Sequence, residues 1–415
     1  MQPEAVFGAV RRGVSAHVPE RRPLLVAMDD TVSRKRGRKI PGVAWRRDPM
    51  GPHFRTQFVW GRRFLQFSAI LPADRQDAPM RAIPIAFEHA PSPKKPSRKD
   101  PPEAWVAYRE TCRRESLGQQ AVRRLSKLRE EMDGDPGEKR ALWVVADGGY
   151  TNKTVLRHLP ERTTFIGRIR ADAQLYEPPR PREKGAKGRR PLYGETLPTP
   201  EEVRQDPQIP WQTALVYAAG KTHEIRYKTV APVLWRAAGA ALPFRLVVIA
   251  PLRYRPSLRS KLLYRNPAYL LCTDPSQPPE EIIQAYVGRW DIEVNFRDEK
   301  QLIRFDEAQV RTEASARTAP AMAVSAYALL LLAACRTYGV NGHPTSLPLP
   351  KWRQKQPRPR VTTSALMNQL RFEMWSQAIE RTPFSGFASA STPHTKPEKY
   401  LPSLRSVLFY AQPAA

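Results

Sequence analysis

Two short apolar runs that each end in an acidic residue constrain the fold of this chain more than any other feature. Residues 23–28 read PLLVAM and lead into Asp29 and Asp30, and residues 141–146 read ALWVVA and lead into Asp147. Such short apolar runs, bounded by turn signals, are typical of buried strands. Because ligands bind beyond the carboxyl ends of strands in an open sheet, the sequence predicts an acidic site there.

Further strands are predicted over 56–71, 80–87 and 164–169, and a long charged helix over about 103–132. A third carboxylate lies in a helix predicted over residues 278–303. Because a helix turns by about 100° per residue, Tyr286, Arg289, Glu293 and Lys300 fall on one stripe about 60° wide, which apolar Trp290 borders. Charges on a face that should be buried need a metal, a phosphate or a close ion partner, since an unpaired buried charge is costly. The alternative is an ordinary Arg–Glu–Lys salt-bridge ladder on a solvated helix.

Asp30, Asp147 and Glu293 are therefore the predicted catalytic and metal-binding acids. Two acids at neighbouring strand ends and a third from a helix can hold two divalent ions about 4 Å apart. Hard oxygen ligands favour Mg²⁺, with Mn²⁺ as the alternative, and the absence of a His/Cys cluster argues against zinc. Each strand end taken alone is also an ordinary strand-to-turn sequence.

The same helix carries residues suited to DNA. In phosphoryl transfer the two ions would clamp the attacking and leaving oxygens. Arg289 and Lys300 are then expected to hold phosphates, and arginine can do so through two parallel hydrogen bonds. Tyr286 is expected to donate a hydrogen bond to a phosphate, and Trp290 to stack on an unpaired base.

The charge of the chain indicates a polyanionic partner. There are 68 Lys and Arg residues against 40 Asp and Glu, a net charge of +28. Nucleic acid is the first candidate, and a membrane surface is the weaker one because no long amphipathic basic helix stands out. Residues 34–39, 178–190 and 351–360 are basic segments expected to contact phosphate, with solvated charge runs as the alternative.

Other classes of protein are disfavoured. The longest apolar run, residues 319–335, is broken by Pro320 and Ser325 and is too short to span a bilayer, so a buried core helix is expected. The N-terminus lacks a compact apolar signal core. The 3 cysteines are widely spaced, which fits a reducing cytoplasm. No phosphate-binding loop of the GxxxxGK[ST] type occurs, so nothing suggests ATP hydrolysis.

Three motifs resemble a known family. They are DDT at Asp29–Thr31, ADGGY at Ala146–Tyr150 and YVGRWDIEVNFRDEK at Tyr286–Lys300. In this order they resemble the DDE catalytic core of bacterial cut-and-paste insertion-sequence transposases. The third motif reproduces that family's Tyr-x2-Arg-x3-Glu-x6-Lys signature without a gap. The resemblance covers about residues 23–335.

The resemblance implies an α/β fold, namely a ribonuclease-H-like mixed sheet flanked by helices and interrupted by an inserted β subdomain. It implies metal-dependent cleavage at transposon ends and strand transfer into target DNA. The implied partner is double-stranded DNA, bound by a homodimer in the bacterial cytoplasm at the nucleoid, with no membrane. It also implies a domain order of an N-terminal lead-in (1–22), a first core part (23–170), a β insertion with a mobile basic loop (171–277), a second core part (278–340) and a basic Pro-rich C-terminal region (341–415).

The family's roles transfer by position. Asp30 resembles the first catalytic acid because the family's acid directly precedes Thr, and Asp29 is the fallback. Asp147 and Glu293 resemble the second and third acids. The residues that resemble the phosphate-contacting signature are Tyr286, Arg289 and Lys300.

One departure leaves alternatives open. Family members carry a helical DNA-recognition domain before the first acid, whereas 29 residues precede Asp30 here. A truncated or misassigned reading frame is therefore one expectation. A non-catalytic DNA-binding remnant that regulates a full-length relative is the second interpretation. A stand-alone nuclease of the same fold, such as a junction resolvase, is the third, and the signature and the β insertion argue against it.

Overall fold

A computed structural model of the chain describes most of its length. Two compact units, Met1–Leu329 and Leu330–Ala415, make up the chain. Most of the basic segments 178–190 and 351–360, and therefore the predicted mobile loop, lie outside the described residues. Those residues are 2–37, 39–48, 51–52, 54–72, 79–136, 139–181, 189, 191–218, 220–254, 260–340 and 360–381.

The first half of the larger unit forms the central part of a mixed sheet. β1 runs antiparallel to β3 and parallel to β5, and β5 runs parallel to β6. This arrangement, with helices on both faces, confirms the predicted α/β class and ribonuclease-H-like fold. The strands are β1 (Leu24–Arg34), β2 (Ala44–Arg47), β3 (Phe58–Leu71), β4 (Arg81–His89), β5 (Leu142–Ala146) and β6 (Thr163–Arg168).

The insertion continues the same sheet. Strand β14 pairs antiparallel with β6, so the order β2-β3-β1-β5-β6-β14-β11-β10-β7-β8 runs through one 12-stranded sheet, with β4 beside β3 and β9 beside β10. Strands β12 and β13 form a separate ladder. The elements of the insertion are β7 (Leu175–Tyr176), β8 (Thr196–Leu197), α5 (Pro200–Gln205), β9 (Gln212–Ala218), β10 (Lys221–Trp235), β11 (Gly239–Ile249), β12 (Arg253–Tyr254), β13 (Leu263–Tyr264) and β14 (Ala268–Cys272).

Four helices belong to the first half of the larger unit, and the first and third of them pack on one face of the sheet, against β3 and β4. Residues 3–15 of the predicted lead-in form a helix, whose buried Val6, Val10 and Val14 follow a four-residue spacing. The helix predicted over residues 103–132 is two helices, because Ser116 adopts an extended backbone and its side chain caps the second by accepting from the Gln119 amide. These helices are α1 (Pro3–Ser15), α2 (Pro102–Arg114), α3 (Leu117–Asp133) and α4 (Lys153–Leu156).

On the opposite face lie α6 (Pro279–Gly288) and α7 (Asp291–Asp298), which continues into a π-helix (Glu299–Ile303). The single helix predicted over 278–303 is therefore interrupted. At the break the Arg289 amide bonds to the Tyr286 carbonyl, three residues back rather than four. A buried core joins these helices to the sheet through Leu25, Ala27, Trp143, Val145, Ile282, Ile283, Ile292 and Phe296.

Two long helices end the described chain. The predicted core helix 319–335 lies inside α8 (Glu313–Tyr338), and α9 spans Thr363–Arg381. By length and composition α8 could cross a membrane, but 56% of its most apolar stretch is buried inside the protein. A core helix of a soluble protein passes the same test, so α8 is weak evidence for a membrane span.

Candidate active site

The parallel pairing of β1, β5 and β6 ends at one level of the sheet, although β1 itself continues against β3 to Arg34, past the end that the sequence predicts after residue 28. In the parallel register Met28 pairs with Ala146, and Ala146 pairs with Gly167. The next residues along the three strands are Asp29, Asp147 and Arg168. Neighbouring strands lie about 4.8 Å apart and alternate residues share a face. The side chains of Asp29 and Asp147 therefore lie on the same face of the sheet as the buried residues that pack against α6 and α7.

Arg289 connects this end of the sheet to the helices. Its Nη1 lies 3.1 Å from Asp29 Oδ2, and its Nη2 lies 3.1 Å from Glu293 Oε1. The Arg289 and Asp29 side chains are 11% and 17% exposed, and that of Glu293 is 37% exposed. One planar guanidinium thus holds a strand carboxylate and a helix carboxylate together at the mouth of the site.

Negative charge accumulates around Asp29. Burial, and then the charge of Asp147, raises the pKa of Asp29 to about 7, although Arg289 opposes the shift. In the described part of the chain no three His, Cys, Asp or Glu side chains are grouped closely enough to form a ready metal site. A desolvated carboxylate beside a second one nevertheless favours a bound cation, and here Arg289 supplies the positive charge.

Asp30 lies on the other face of the sheet. The Tyr150 hydroxyl donates to Asp30 Oδ1 at 2.8 Å, and Arg63 Nε lies 3.2 Å from Asp30 Oδ2. Burial raises the pKa of Asp30, while Arg63 and Tyr150 act in the opposite direction. Successive residues of a strand point to opposite faces, so Asp29 and Asp30 cannot both face Arg289. The described contacts bring Asp29, the fallback acid, to Glu293.

The loop after β5 holds Asp147 in place. Asp147 Oδ1 accepts the Gly149 amide at 2.9 Å, and the Thr151 hydroxyl donates to the Asp147 carbonyl at 3.2 Å. A Cβ at Gly149 would lie 3.1 Å from Asp147 Oδ1, so a larger residue there would crowd the carboxylate. The ADGGY motif is therefore a turn that fixes an acid beside β1.

The remaining signature residues separate. Arg289 Cζ lies 5.6 Å from the Tyr286 ring centre, and Trp290 is 59% exposed at the helix break. Lys300 belongs to the π-helix, where the neighbouring charges are those of Glu299, Arg34 and Asp48, and partial desolvation lowers its pKa. The residues of the predicted stripe from Tyr286 to Glu293 therefore lie close to one another, around Arg289. Lys300 lies further along, in the π-helix, where no described contact joins it to the three acids.

Arg168 is a site residue that the sequence interpretation missed. It is the last residue of β6, the third parallel strand, and its positive charge acts on Tyr286. The available signal is that Arg168 is the one charged residue within the predicted strand over 164–169. The site therefore presents two cations, Arg168 and Arg289, beside its acids.

Comparison with known proteins gives one family. A model described as the transposase DDE domain matches residues 117–329, slightly more than half of the chain. The matched range contains Asp147, Arg289 and Glu293 and begins after Asp29. No curated protein sequence matches the chain.

Proposed function

The chain belongs to the transposase DDE domain family, and from that premise we propose that it cleaves DNA strands at transposon ends and joins them to target DNA. The observation that carries this proposal is that Arg289 contacts both Asp29 and Glu293, while the charge of Asp147 acts on Asp29. In the proposal these three carboxylates are the oxygen donors for metal-dependent phosphoryl transfer.

Asp29 is the first acid in this proposal. It shares Arg289 with Glu293 and feels the charge of Asp147, whereas Asp30 has Arg63 and Tyr150 as partners. The original prediction placed Asp30 in this role because it directly precedes Thr31. Strand alternation and the contacts of Arg289 favour the neighbouring residue instead.

Transposases of this family use divalent metals, and the donor set here fits such ions. Asp29, Asp147 and Glu293 offer oxygen ligands alone, which suits Mg²⁺ or Mn²⁺. The raised pKa of Asp29 indicates that the acids repel one another and would be stabilised by added positive charge. When bound, two such ions would polarise the scissile phosphate and stabilise charge on the attacking and leaving oxygens.

The cations around the acids position the DNA backbone in this proposal. In the free protein Arg289 forms ion pairs with the carboxylates of Asp29 and Glu293. When DNA binds, its guanidinium leaves these carboxylates and donates two parallel hydrogen bonds to a phosphate. Arg168 lies at the neighbouring strand end and contacts the next phosphate. Tyr286 donates to a phosphate beside Arg289, exposed Trp290 stacks on a base, and Lys300 contacts the backbone further from the acids.

The proposed partner is double-stranded DNA, comprising transposon ends and target, held by a homodimer in the bacterial cytoplasm. The net charge of +28 supports a polyanionic partner. The division into residues 1–22, 23–170, 171–277, 278–340 and 341–415 is retained as the proposed domain organisation. In this division the insertion is joined to the core by β-sheet pairing.

A nicking assay tests the proposal. Supercoiled plasmid carrying the DNA that flanks the gene is incubated with the full chain and Mg²⁺ or Mn²⁺, beside a gel-shift titration. Asp29→Asn, Asp147→Asn and Glu293→Gln should each lose nicking while retaining DNA binding. The matched control is Glu307→Gln, an exposed acid paired with Arg304 at 3.4 Å. DNA binding without nicking by the unmodified chain in either metal would instead indicate a regulatory remnant.

A further inference from the structure

Three large aromatic or apolar rings project into solvent from the hairpin formed by β2 and β3. Trp45 is 68% exposed, Phe58 is 61% exposed, and Phe54, in the connecting turn, is 92% exposed. Trp45 and Trp60 lie side by side, with ring centres 5.4 Å apart and planes at 59°. A single exposed aromatic residue is ordinary on a protein surface, whereas several of them on one short hairpin indicate a binding surface.

This surface shares a sheet face with the proposed active site. Trp45 pairs with Trp60 in the antiparallel register of β2 and β3, and Asp29 pairs with Gln66 in the register of β1 and β3. Trp60 and Gln66 are an even number of positions apart on β3, so their side chains share a face. Arg62 and Phe64, between them on this face, are fully buried beneath Ala316 and Phe305, so the two regions are separated by a covered stretch of about 20 Å, a distance that about six stacked nucleotides would span.

The same segment is strongly basic. Residues 31–63 contain ten Lys and Arg residues and one acid, Asp48. Asp48 pairs with Arg34 at 2.7 Å. Arg47, which pairs with Phe58 across the hairpin, is exposed. Trp60 Nε1 donates to the Gly37 carbonyl at 3.1 Å, which ties the basic loop after β1 to the aromatic surface.

We propose that the exposed hairpin face binds a stretch of unpaired DNA, whose bases stack on Trp45 and Phe58 while Arg47 and Arg36 contact its phosphates. The inference rests on the proposed function, because it places this strand on the approach to the carboxylates. Duplex DNA keeps its base faces stacked on one another, so projecting rings gain most from bases that are already unpaired. A second copy of the chain would bring a like-charged segment against this one, which opposes self-association.

The test uses the full chain without metal, so binding is measured apart from cutting. Single-stranded oligonucleotides carrying 2-aminopurine report stacking by fluorescence quenching, and duplex of the same sequence reports backbone binding. Trp45→Leu and Phe58→Leu should each weaken single-strand affinity by about tenfold and reduce the quenching, with duplex affinity changed less than twofold. Trp105→Leu, which removes a ring on α2 that lies 5.7 Å from Lys95, is the aromatic control and should have no effect.

Several results would overturn the inference. Unchanged single-strand affinity in both hairpin variants would show that the rings do not stack on bases. An equal loss of single-strand and duplex affinity would show a general contact. A variant that dissociates from dimer to monomer on size exclusion, with single-strand quenching unchanged, would assign the surface to self-association. If the unmodified chain bound no DNA of either form, the proposed function would fail, and this inference with it. Thermal melting of each variant confirms folding, since both side chains are exposed.

Discussion

Arg289 Nη1 lies 3.1 Å from the carboxylate of Asp29, a residue 260 positions earlier in the chain. The contact brings the first strand of the sheet to the helix break that follows the insertion. The second terminal nitrogen of Arg289, Nη2, lies at the same distance, 3.1 Å, from Glu293 Oε1. The third acid is therefore positioned by an ion pair as well as by helix packing, and changes at Arg289 should affect the whole site.

Asp29 and Asp30 should respond differently to the same substitution. Asp29→Asn should abolish nicking with little loss of stability, because it removes a charge from a repulsive cluster. Asp30→Asn should lower the free energy of unfolding by about 1–3 kcal/mol, because Arg63 and Tyr150 lose a charged partner on the other face of the sheet. Nicking rates and urea denaturation of both variants check this. An inactive, fully stable Asp30→Asn beside an active Asp29→Asn would return the catalytic role to Asp30.

Glu293→Gln should abolish nicking of transposon-end DNA and leave DNA affinity unchanged or improved. The amide keeps the size of the side chain, but the charge needed to hold a metal is lost and repulsion from phosphate is relieved. Arg289→Ala should reduce both rate and affinity, because a bidentate phosphate contact is lost. Nicking and gel-shift titrations with Mg²⁺ or Mn²⁺ separate the two outcomes. Wild-type nicking by Glu293→Gln would mean that this carboxylate belongs to a structural salt bridge.

Metal affinity should depend on pH near neutrality. The pKa of Asp29 is raised to about 7, so below that pH a proton occupies the carboxylate that the metal needs. Apparent Mn²⁺ affinity, measured by electron paramagnetic resonance, should rise by about tenfold per pH unit up to pH 7 and level off above it. Asp29→Asn should bind weakly with a flatter profile. A wild-type profile that is flat between pH 6 and 8 would contradict the proposed ligand.

Glu299→Gln should stabilise the protein at alkaline pH. Glu299 is fully buried in the π-helix, and burial raises its pKa to about 8 from 4.5. The folded state therefore holds a proton that the unfolded state releases, and stability falls as pH rises from 4.5 to about 8. The free energies of unfolding of both proteins, from urea denaturation across this range, should diverge with pH, and by pH 8 the difference should be on the order of 4 kcal/mol. Parallel pH profiles would show that Glu299 ionises at its ordinary pKa.

DNA binding should weaken steeply with salt. Each phosphate neutralised by Lys or Arg contributes close to one unit to the slope of log affinity against log salt concentration, and the chain carries +28. Fluorescence anisotropy of a duplex between about 50 and 200 mM salt measures the slope, and scrambled sequence should give nearly the same value. An affinity that does not change with salt would contradict a backbone-led contact.

Local patterns in the sequence predicted much of the fold and part of the site. Periodicity and turn residues placed β1, β3, β4 and β5, and helical spacing placed Arg289 and Glu293 on one face. The π-helix that contains Lys300 could not be predicted, because a π-helix has no comparable sequence signal. The break of the long charged helix at Ser116 could have been read from its capping preference.

The orientation of Asp29 depended on long-range packing. Which strand face meets α6 and α7 is decided by the burial of Leu25 and Ala27 with Val145, residues far apart in the chain. The choice of Asp30 rested only on its position directly before Thr31, and that position does not determine which face of the strand meets α6 and α7. Counting alternate positions back from Asp147 through Val145 would have indicated that Asp29 shares its face, once the two strands were known to be parallel neighbours.

The pairing of β14 with β6 has a consequence for how the chain avoids aggregation. β6 is the last parallel strand of the core, and β14 supplies partners for it at Leu270, Leu271 and Cys272. Deleting residues 171–277 would leave β6 as an unprotected edge strand, whose bare amides and carbonyls are a template for pairing with other molecules. The insertion therefore caps the core against intermolecular strand addition, and the 5-residue strand that does so leads directly into the helices that bear Arg289 and Glu293.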